Sequence, residues 1–125
     1  MEPVNLFDVA TQQSRWLAVR QAAVAGNVAN VNTPGYVAVD VEPFEKVLDK
    51  TGVTMAATHA GHLTGRATEA GFAIREERGP SLLPSGNSVV LENELLKAGE
   101  IGRQFELNTA IVKAFHRMLM LTSKS

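Results

Sequence analysis

Several features are scarce or missing in this 125-residue sequence. It contains no cysteine, which excludes disulfide bonds, thiolate catalysis and thiolate metal ligands. Only 6% of the residues are aromatic, so an apolar core has to be built from aliphatic side chains, which favours helix packing over a β-sandwich. The formal net charge of −1 provides no basic footprint for nucleic acid. No apolar run approaches the roughly 18–20 residues needed to cross a bilayer.

The amino terminus also lacks the marks of a secretory signal. Its first basic residue is Arg15, and no apolar run of signal-peptide length precedes it. We therefore expect a chain without a cleaved signal peptide, without membrane insertion and without a nucleic-acid partner. A content of 45% hydrophobic and 20% charged residues is typical of one folded unit rather than a disordered chain.

The first periodic segment runs from about Leu6 to Val31 and predicts a long amphipathic helix. Its apolar residues form a heptad line through Ala10, Leu17, Val24 and Val31. Val28 lies beside this line. Pro34 disfavours the α conformation at Thr33, and Pro34-Gly35 suits the centre of a type II turn. The helix should therefore end between Ala29 and Asn32.

The second periodic segment, from about Ser88 to Thr122, predicts another long helix with Asn87 or Ser88 as its N-cap. One heptad line consists of Leu91, Ala98, Phe105, Val112 and Leu119. A neighbouring line contains Ile101, Asn108 and Phe115. Two adjacent lines of this kind are typical of a coiled coil. Gly99 and Gly102 weaken the helix and indicate either close helix approach or local flexibility.

Between the helices, residues 37–86 show no sustained helical period and predict an irregular insert with short strands. Apolar residues alternate with others around Val39 and Ile74, so two strands that pair are expected there. A single helical turn is expected from Phe44 to Leu48. The stretch from Thr51 to Gly65 is rich in Gly, Ala and Thr and should be mobile.

The sequence offers few candidates for chemistry. His59 and His62 have a metal-like spacing but lack the His-Glu-x-x-His frame and a clear third ligand. Asp40 paired with Glu42 or Glu45 is better explained as solvated charge than as a catalytic pair of carboxylates. Ser81, Ser85 and Ser88 lie outside any Gly-x-Ser-x-Gly elbow. We therefore expect no catalytic residue, no metal site, no cofactor and no enzymatic activity.

One segment at the end of the first helix resembles a known signature. It matches the Asn-x-Ala-Asn-x-x-Thr-Pro-Gly-Tyr/Phe motif of flagellar basal-body rod, hook and hook-associated proteins at every defined position, namely Asn27, Ala29, Asn30, Thr33, Pro34, Gly35 and Tyr36. Asn27 and Asn30 lie one helical turn apart, where their amides can bond freed backbone groups. Tyr36 is expected to be a packing anchor.

Two further segments extend the resemblance. Thr58-His59-Ala60-Gly61-His62 is similar to a Thr-His-x-x-His element of the family, and residues 86–94 are similar to the Gly-Asn-Thr-Val-Asp-Leu-Glu segment of its proximal rod members. Ser88 stands where that segment has Thr, and Val90 where it has Asp. The absence of a large inserted domain is unlike hook and distal-rod proteins.

The resemblance implies a mainly α fold, in which the terminal helices pair as an antiparallel coiled-coil hairpin around an irregular insert with short β-strands. Residues 1–36 and 87–125 would form one rod-core domain, and 37–86 the insert. Helix packing or assembly is expected to use Leu17, Val24, Val28, Leu91, Ile101, Phe105, Val112, Phe115 and Leu119.

The same resemblance implies a structural subunit of the proximal rod, which polymerises to transmit torque from motor to hook. It would be exported through the flagellum's own type III apparatus into the periplasm. Its partners would be copies of itself, other rod subunits, and adaptor and MS-ring proteins at the rod base. Free monomers should be partly disordered at their ends and in the insert. Three alternatives remain: another small rod subunit, a helical-hairpin adaptor or chaperone, and a small metal-dependent hydrolase.

Overall fold

A computed structural model describes residues 6–56, 72–77 and 85–124 of the chain. In chain order, the elements are helix α1 (Leu6–Ala29), strand β1 (Ala38–Val41), helix α2 (Phe44–Ala56), strand β2 (Ile74–Glu77) and helix α3 (Leu91–Ser123). Long helices near the two ends of the chain and a small sheet between them confirm the predicted mainly α architecture.

Helices α1 and α3 pack against each other in antiparallel directions. Phe7 meets Phe115 with ring centroids 5.3 Å apart, and Asn27 meets Glu94 in a hydrogen bond of 3.0 Å. The first pair lies 20 residues from the second along α1 and 21 residues along α3, so the two helices stay in register over this length.

The buried face of α3 differs from the leading heptad line of the sequence. Its centre follows Glu94, Ile101 and Asn108, which are buried, and continues to the half-buried Phe115. Leu91, the first member of the other line, is exposed. A count of apolar residues alone does not identify this buried face, because two of its positions, Glu94 and Asn108, are polar and bond polar side chains of α1.

Helix α3 begins at Leu91, and the predicted side-chain N-cap is wrong. The N-cap residue is Val90, and no side chain makes a capping hydrogen bond there. The side chains of Asn87 and Ser88 bond the loop and strands beside them instead. Glu92 and Glu94 lie in the first turn, where negative charge stabilises the positive end of the helix dipole.

The apolar core lies where α1, α3, the sheet and α2 meet. Its buried members are Trp16, Leu17, Val24, Val41, Val47 and Ile101. The indole N–H of Trp16 donates to the carbonyl of Glu42 at 2.7 Å, and its ring packs against Phe44 with centroids 5.7 Å apart. This polar partner allows the indole to be buried without an unpaired donor.

The two predicted strands exist and pair. Strand β1 is antiparallel to β2, with Ala38 opposite Glu77 and Val41 opposite Ile74. Helix α2 is longer than the single turn expected, and it extends through the first part of the segment predicted to be mobile. Buried Val47 anchors this helix on the core, and Lys50 pairs with Glu42 at 2.7 Å. Residues 57–65 of that prediction lie outside the described residues.

Gly99 and Gly102 do not mark a close approach of helices within the chain. Apart from the flanking residues and the backbone of α3 itself, a Cβ atom placed at either position would have no atom of the described residues within 4 Å. Both glycines lie on exposed parts of α3. Intramolecular packing therefore does not require glycine at these positions.

Candidate assembly site

The signature forms a tight turn directly after α1. The N–H of Tyr36 donates to the carbonyl of Thr33 at 3.3 Å, with Pro34 and Gly35 between them. Gly35 has a φ of +74°, as the third residue of a type II turn requires. The hydroxyl of Thr33 donates to the side-chain oxygen of Asn30 at 3.0 Å. These contacts confirm the predicted turn and leave its tip, residues 32–35, exposed.

Asn27 joins three elements at the base of this turn. Its side chain is fully buried, and its amide nitrogen donates to the carbonyl of Val39 at 2.8 Å and to the carboxylate of Glu94 at 3.0 Å. Its amide oxygen accepts from the N–H of Val39 at 3.0 Å and from the hydroxyl of Tyr36 at 3.4 Å. The carboxamide thus uses both donors and both acceptors to connect α1, β1, α3 and the turn.

Asn30 bonds the backbone near the end of α1 as the motif predicted, but the carbonyl it bonds is not a freed one, because it also accepts the backbone N–H of Asn30 at 3.1 Å. Its amide nitrogen donates to the carbonyl of Gly26 at 2.8 Å, a backbone group near the end of α1. Asn27 instead bonds the neighbouring strand, so the two asparagines of the signature have different roles. Tyr36 is half-buried, and its hydroxyl approaches Asn27.

Residues 85–88 form the second half of the site and run beside the signature turn. The N–H of Gly35 donates to the carbonyl of Ser85 at 2.9 Å, and the N–H of Ser88 donates to the carbonyl of Tyr36 at 3.0 Å. The Ser88 hydroxyl accepts from the N–H of Ala38 at 2.8 Å and donates to the carbonyl of Glu77 at 3.1 Å. This segment therefore holds the turn and the sheet together.

Gly86 and Asn87 bring this segment close to the turn. Gly86 has a φ of +76°, and a Cβ atom there would lie 3.5 Å from the Cα of Gly35. Asn87 is buried, and its amide nitrogen lies within 2.8–3.0 Å of the carbonyl oxygens of Asn30, Val31 and Thr33. The sequence pattern alone gave no indication of this contact.

A cluster of charges fastens α3 to the sheet next to Asn27. Lys97 lies 2.6 Å from Glu77, 3.3 Å from Glu94 and 3.7 Å from Asp40. Burial of its ammonium group opposes the charge, but the hydrogen bond to Glu77 and the nearby carboxylates outweigh it and raise the pKa of Lys97 above 10.5. The cluster therefore contributes to stability while Lys97 is charged, and that contribution is lost only as the pH rises through the raised value.

Arg20 extends this cluster along α1. Its guanidinium lies 3.2 Å from Asp40 and 3.6 Å from Glu100 of α3, and it stacks 5.5 Å from the centre of the Trp16 ring. Asp40 is therefore paired with a cation from each long helix, Arg20 of α1 and Lys97 of α3. The sequence-based alternative of a catalytic carboxylate pair does not fit this carboxylate, because its partners are cations that hold the fold together.

A second buried polar contact lies at the far end of the helix pair. The amide nitrogen of Asn108 donates to the hydroxyl of Ser14 at 2.7 Å and to the carbonyl of Ala10 at 3.1 Å. Asn27 with Glu94 forms the corresponding contact at the turn end. Polar contacts of this kind specify one alignment of a coiled coil, because any other alignment leaves buried groups unpaired.

A stripe of exposed apolar side chains on α3 lies beside the face that contacts α1, about 100° around the helix axis from Asn108. It repeats at alternating steps of four and three residues, the spacing of a coiled-coil contact line, through Leu107, Ile111, Ala114, Met118 and Leu121. We name these five residues the second seam. Leu107 is 61% exposed, Met118 62% and Leu121 68%. The carboxyl-terminal half of α3 thus carries apolar residues on two faces.

Comparison with known proteins identifies the family. Residues 16–36 match the family described as "Flagella basal body rod protein". The chain is 45% identical to the flagellar basal body rod protein FlgB of Agrobacterium fabrum (strain C58 / ATCC 33970), over 99% of this chain and 96% of that protein. The chain belongs to the flagellar basal-body rod protein family. This family is structural and is not a family of enzymes.

The match of the rod family covers only one half of the site described above. Residues 16–36 include Asn27, Asn30 and the Pro34-Gly35 turn. Residues 85–88, Glu94 and Lys97 lie beyond it, although they supply most of the polar contacts to that half. Their role depends on contacts across more than fifty positions of sequence, which local patterns do not reveal.

The residues predicted for helix packing or assembly fall into three groups. Leu17, Val24 and Ile101 are buried in the contact between α1 and α3. Phe105, Val112 and Phe115 are half-buried beside it, whereas Val28, Leu91 and Leu119 are exposed. Of the signature residues, Ala29 is also exposed. The second seam was not among the predicted residues, although its four-and-three spacing is present in the sequence.

The remaining candidates for chemistry have structural roles or lie outside the described residues. Glu42 accepts a hydrogen bond from Lys50 at 2.7 Å, which holds the pKa of Glu42 below its ordinary value of 4.5. Ser85 and Ser88 bond the signature turn and the sheet. His59, His62 and Ser81 lie outside the described residues. Within residues 6–56, 72–77 and 85–124, no three metal-ligating side chains cluster.

Each described helix carries charged residues along its length. None of them combines sufficient length with sufficient apolar character to span a bilayer. Helix α3 is the longest at 33 residues, but charged residues recur along it.

Proposed function

We propose that this chain is a subunit of the proximal part of the flagellar basal-body rod and that it polymerises through its terminal helices. The similarity to FlgB along nearly the whole chain supports the proximal position. Residues 1–36 and 87–125 act as one rod-core domain, and residues 37–86 act as its insert. The rod lies in the periplasm and transmits torque from the motor to the hook.

The observation that carries this proposal is the second seam on α3. A helix with one apolar face needs one neighbour, and a helix with two apolar faces needs two. Helix α1 covers one face, so a helix of an adjacent subunit covers Leu107, Ile111, Ala114, Met118 and Leu121. Complete burial of a Leu, Ile or Met side chain stabilises a contact by about 1.5–3 kcal/mol. Repetition of this contact at every subunit holds the rod together.

The partners follow from the same role. Copies of this chain and other rod subunits contact the helices, and adaptor and MS-ring proteins contact the base of the rod. The chain reaches this place through the flagellar export apparatus, without a cleaved signal peptide. A helical-hairpin adaptor, the alternative from a different class, would instead function without a helix bound along the second seam.

Leu107→Asp, expressed in place of the natural chain in flagellated cells, tests this proposal. It places a charge in the second seam, where an apolar neighbour would leave it unpaired. Leu95→Asp is a matched control, because Leu95 is 60% exposed and lies on the same helix, about 120° around its axis from Leu107. Circular dichroism of both purified variants should show the helix content of the unchanged chain.

We expect cells with Leu107→Asp to stop swimming and their purified basal bodies to lack a complete rod. Cells with Leu95→Asp should swim. Normal swimming with Leu107→Asp would contradict a role of the second seam in assembly. Intact rods in cells from which the whole chain is deleted would contradict the proposed rod function itself and favour an adaptor.

A further inference from the structure

We propose that Asn87 is the positioning residue of the signature turn, and that it makes the shape of this turn conditional on docking of the carboxyl-terminal segment. The amide nitrogen of Asn87 lies 2.8 Å from the carbonyl oxygen of Asn30, 3.0 Å from that of Val31 and 2.8 Å from that of Thr33. One NH₂ group has two hydrogens, so at least one of them is shared between carbonyls. All three carbonyls belong to the segment that leaves α1.

Helix α1 ends in short-range backbone bonds, from Val31 to Val28 at 3.3 Å and from Thr33 to Asn30 at 3.0 Å, and not in a left-handed glycine. Many helices stop at a glycine in the left-handed conformation just past the last turn, whose N–H bonds the final carbonyls. In the described part of the chain, only Gly35 and Gly86 have positive φ, and neither directly follows Ala29. No basic side chain lies in the last turn of α1 either. Asn87, 57 residues beyond Asn30 in the sequence, adds a side-chain donor to carbonyls that the local backbone bonds only partly satisfy.

Asn87 is itself held in a fixed position. It is 1% exposed, and its side-chain oxygen accepts from the N–H of Val89 at 2.7 Å. The preceding Gly86 adopts the positive φ that lets this segment approach Gly35 closely. Backbone hydrogen bonds from Gly35 to Ser85 and from Ser88 to Tyr36 fix the distance between the two segments. The carboxamide is thus delivered to the turn by the start of the carboxyl-terminal segment.

The local contacts of the turn are few without this segment. They are the backbone bonds from Tyr36 to Thr33 and from Thr33 to Asn30, and the side-chain bonds from the Thr33 hydroxyl to Asn30 and from the Tyr36 hydroxyl to Asn27. The signature is therefore one half of a two-segment structure, and residues 85–88 are the other. A chain with both ends docked presents the finished turn, and a chain with only its amino-terminal half folded does not. This inference concerns the monomer and holds whether or not the second seam binds a neighbour.

Hydrogen exchange of the backbone amides, followed by NMR on the full chain, tests the inference. In Asn87→Ala, we expect the protection of Gly35 and Tyr36 to fall about tenfold or more, because a lost hydrogen bond of this kind changes an equilibrium by about that factor. The helical circular dichroism and the protection of central α1 amides should persist. Asn93→Ala is the control, since Asn93 is an exposed asparagine on α3 and should leave the turn unchanged.

Asn87→Asp separates capping from a general packing role. An ionised carboxylate has no donor and faces three carbonyl oxygens, whereas the protonated acid has one O–H donor. Protection of Gly35 and Tyr36 should therefore recover on acidification through the pKa of the new carboxyl group, and it should not do so in Asn87→Ala. Full protection in Asn87→Ala, or no pH dependence specific to Asn87→Asp, would overturn the inference.

A measurement on the unchanged chain guards against variants that do not fold. The side-chain amide of Asn87 and the backbone N–H of Gly35 should exchange through one shared opening, at rates below that of exposed amides and above that of the α1 centre. If Gly35 stays protected while the Asn87 side chain exchanges, the inference is wrong. Loss of all helical signal in Asn87→Ala would also contradict it, because the proposed effect is confined to the turn.

Discussion

Replacement of Asn27 with alanine should be severely destabilising. The side chain is fully buried, and its carboxamide is the partner of the N–H and carbonyl of Val39 and of the Glu94 carboxylate. Alanine removes these three contacts, together with the longer one from the Tyr36 hydroxyl at 3.4 Å, and supplies no substitute. The groups left behind lie in the contact between α1, β1 and α3, where water does not readily replace the lost partner.

The expected magnitude follows from these three hydrogen bonds. A neutral hydrogen bond contributes about 0.5–1.5 kcal/mol to the free energy of unfolding, and a bond to a charged group about 1.5–3 kcal/mol. Two neutral bonds and one bond to a carboxylate therefore give about 2.5–6 kcal/mol. Domains of ordinary stability unfold at a cost of about 5–15 kcal/mol. This single substitution should thus remove a large part of the stability of the monomer.

Urea unfolding, followed by circular dichroism and by fluorescence of Trp16, the single tryptophan, measures the effect. Asn30→Ala is the matched control, because Asn30 belongs to the same motif but is only half-buried and donates to one carbonyl. We expect a loss of about 1 kcal/mol for this control. If Asn27→Ala lowered the free energy of unfolding no further than Asn30→Ala, the assignment of Asn27 as the connecting residue would be refuted.

Two further predictions concern a carboxylate and the glycines of α3. The pKa of Glu42 is lowered because Lys50 donates a hydrogen bond to it, so the contribution of Glu42 to stability is present above pH 4.5 and is lost as the pH falls through the lowered value. Glu42→Gln should therefore lower the free energy of unfolding by about 1 kcal/mol near neutral pH and leave it unchanged in strong acid. Urea titrations across this pH range would show the difference. Gly99→Ala and Gly102→Ala should each stabilise the monomer by about 0.5–1 kcal/mol, because alanine favours the helix and its methyl group meets open space. Thermal unfolding measures this effect, and a lower melting temperature for either variant would contradict it.

Local sequence features predicted the elements that depend on local interactions. The end of α1 follows from the steric effect of Pro34 on Thr33, and the turn follows from the positive φ that Gly35 allows. The alternation around Val39 and Ile74 predicted the two strands and their pairing. Each of these features depends on residues a few positions apart. For that reason they could be predicted before any tertiary contact was known.

Features that depend on distant residues were not predictable in this way. Asn87 looked like the N-cap of α3 because it has a capping side chain at a suitable position, but that side chain donates to the carbonyls of Asn30, Val31 and Thr33 instead. Glu94 is buried in the helix contact because Asn27 and Lys97 are its partners. Helix α2 continues past the predicted turn to Ala56, although Gly52 and the β-branched residues after it weaken its local helix propensity; buried Val47 anchors its beginning on the core.

The contact between Asn27 and Val39 also has a consequence for what this chain avoids. Both backbone groups of Val39 bond the Asn27 side chain, so they face away from β2 and would otherwise form an open sheet edge. An open edge can pair with a strand of another molecule and add further strands without limit. Closure of this edge by a side chain on α1 removes one place at which a strand of another molecule could pair, and so works against β-aggregation.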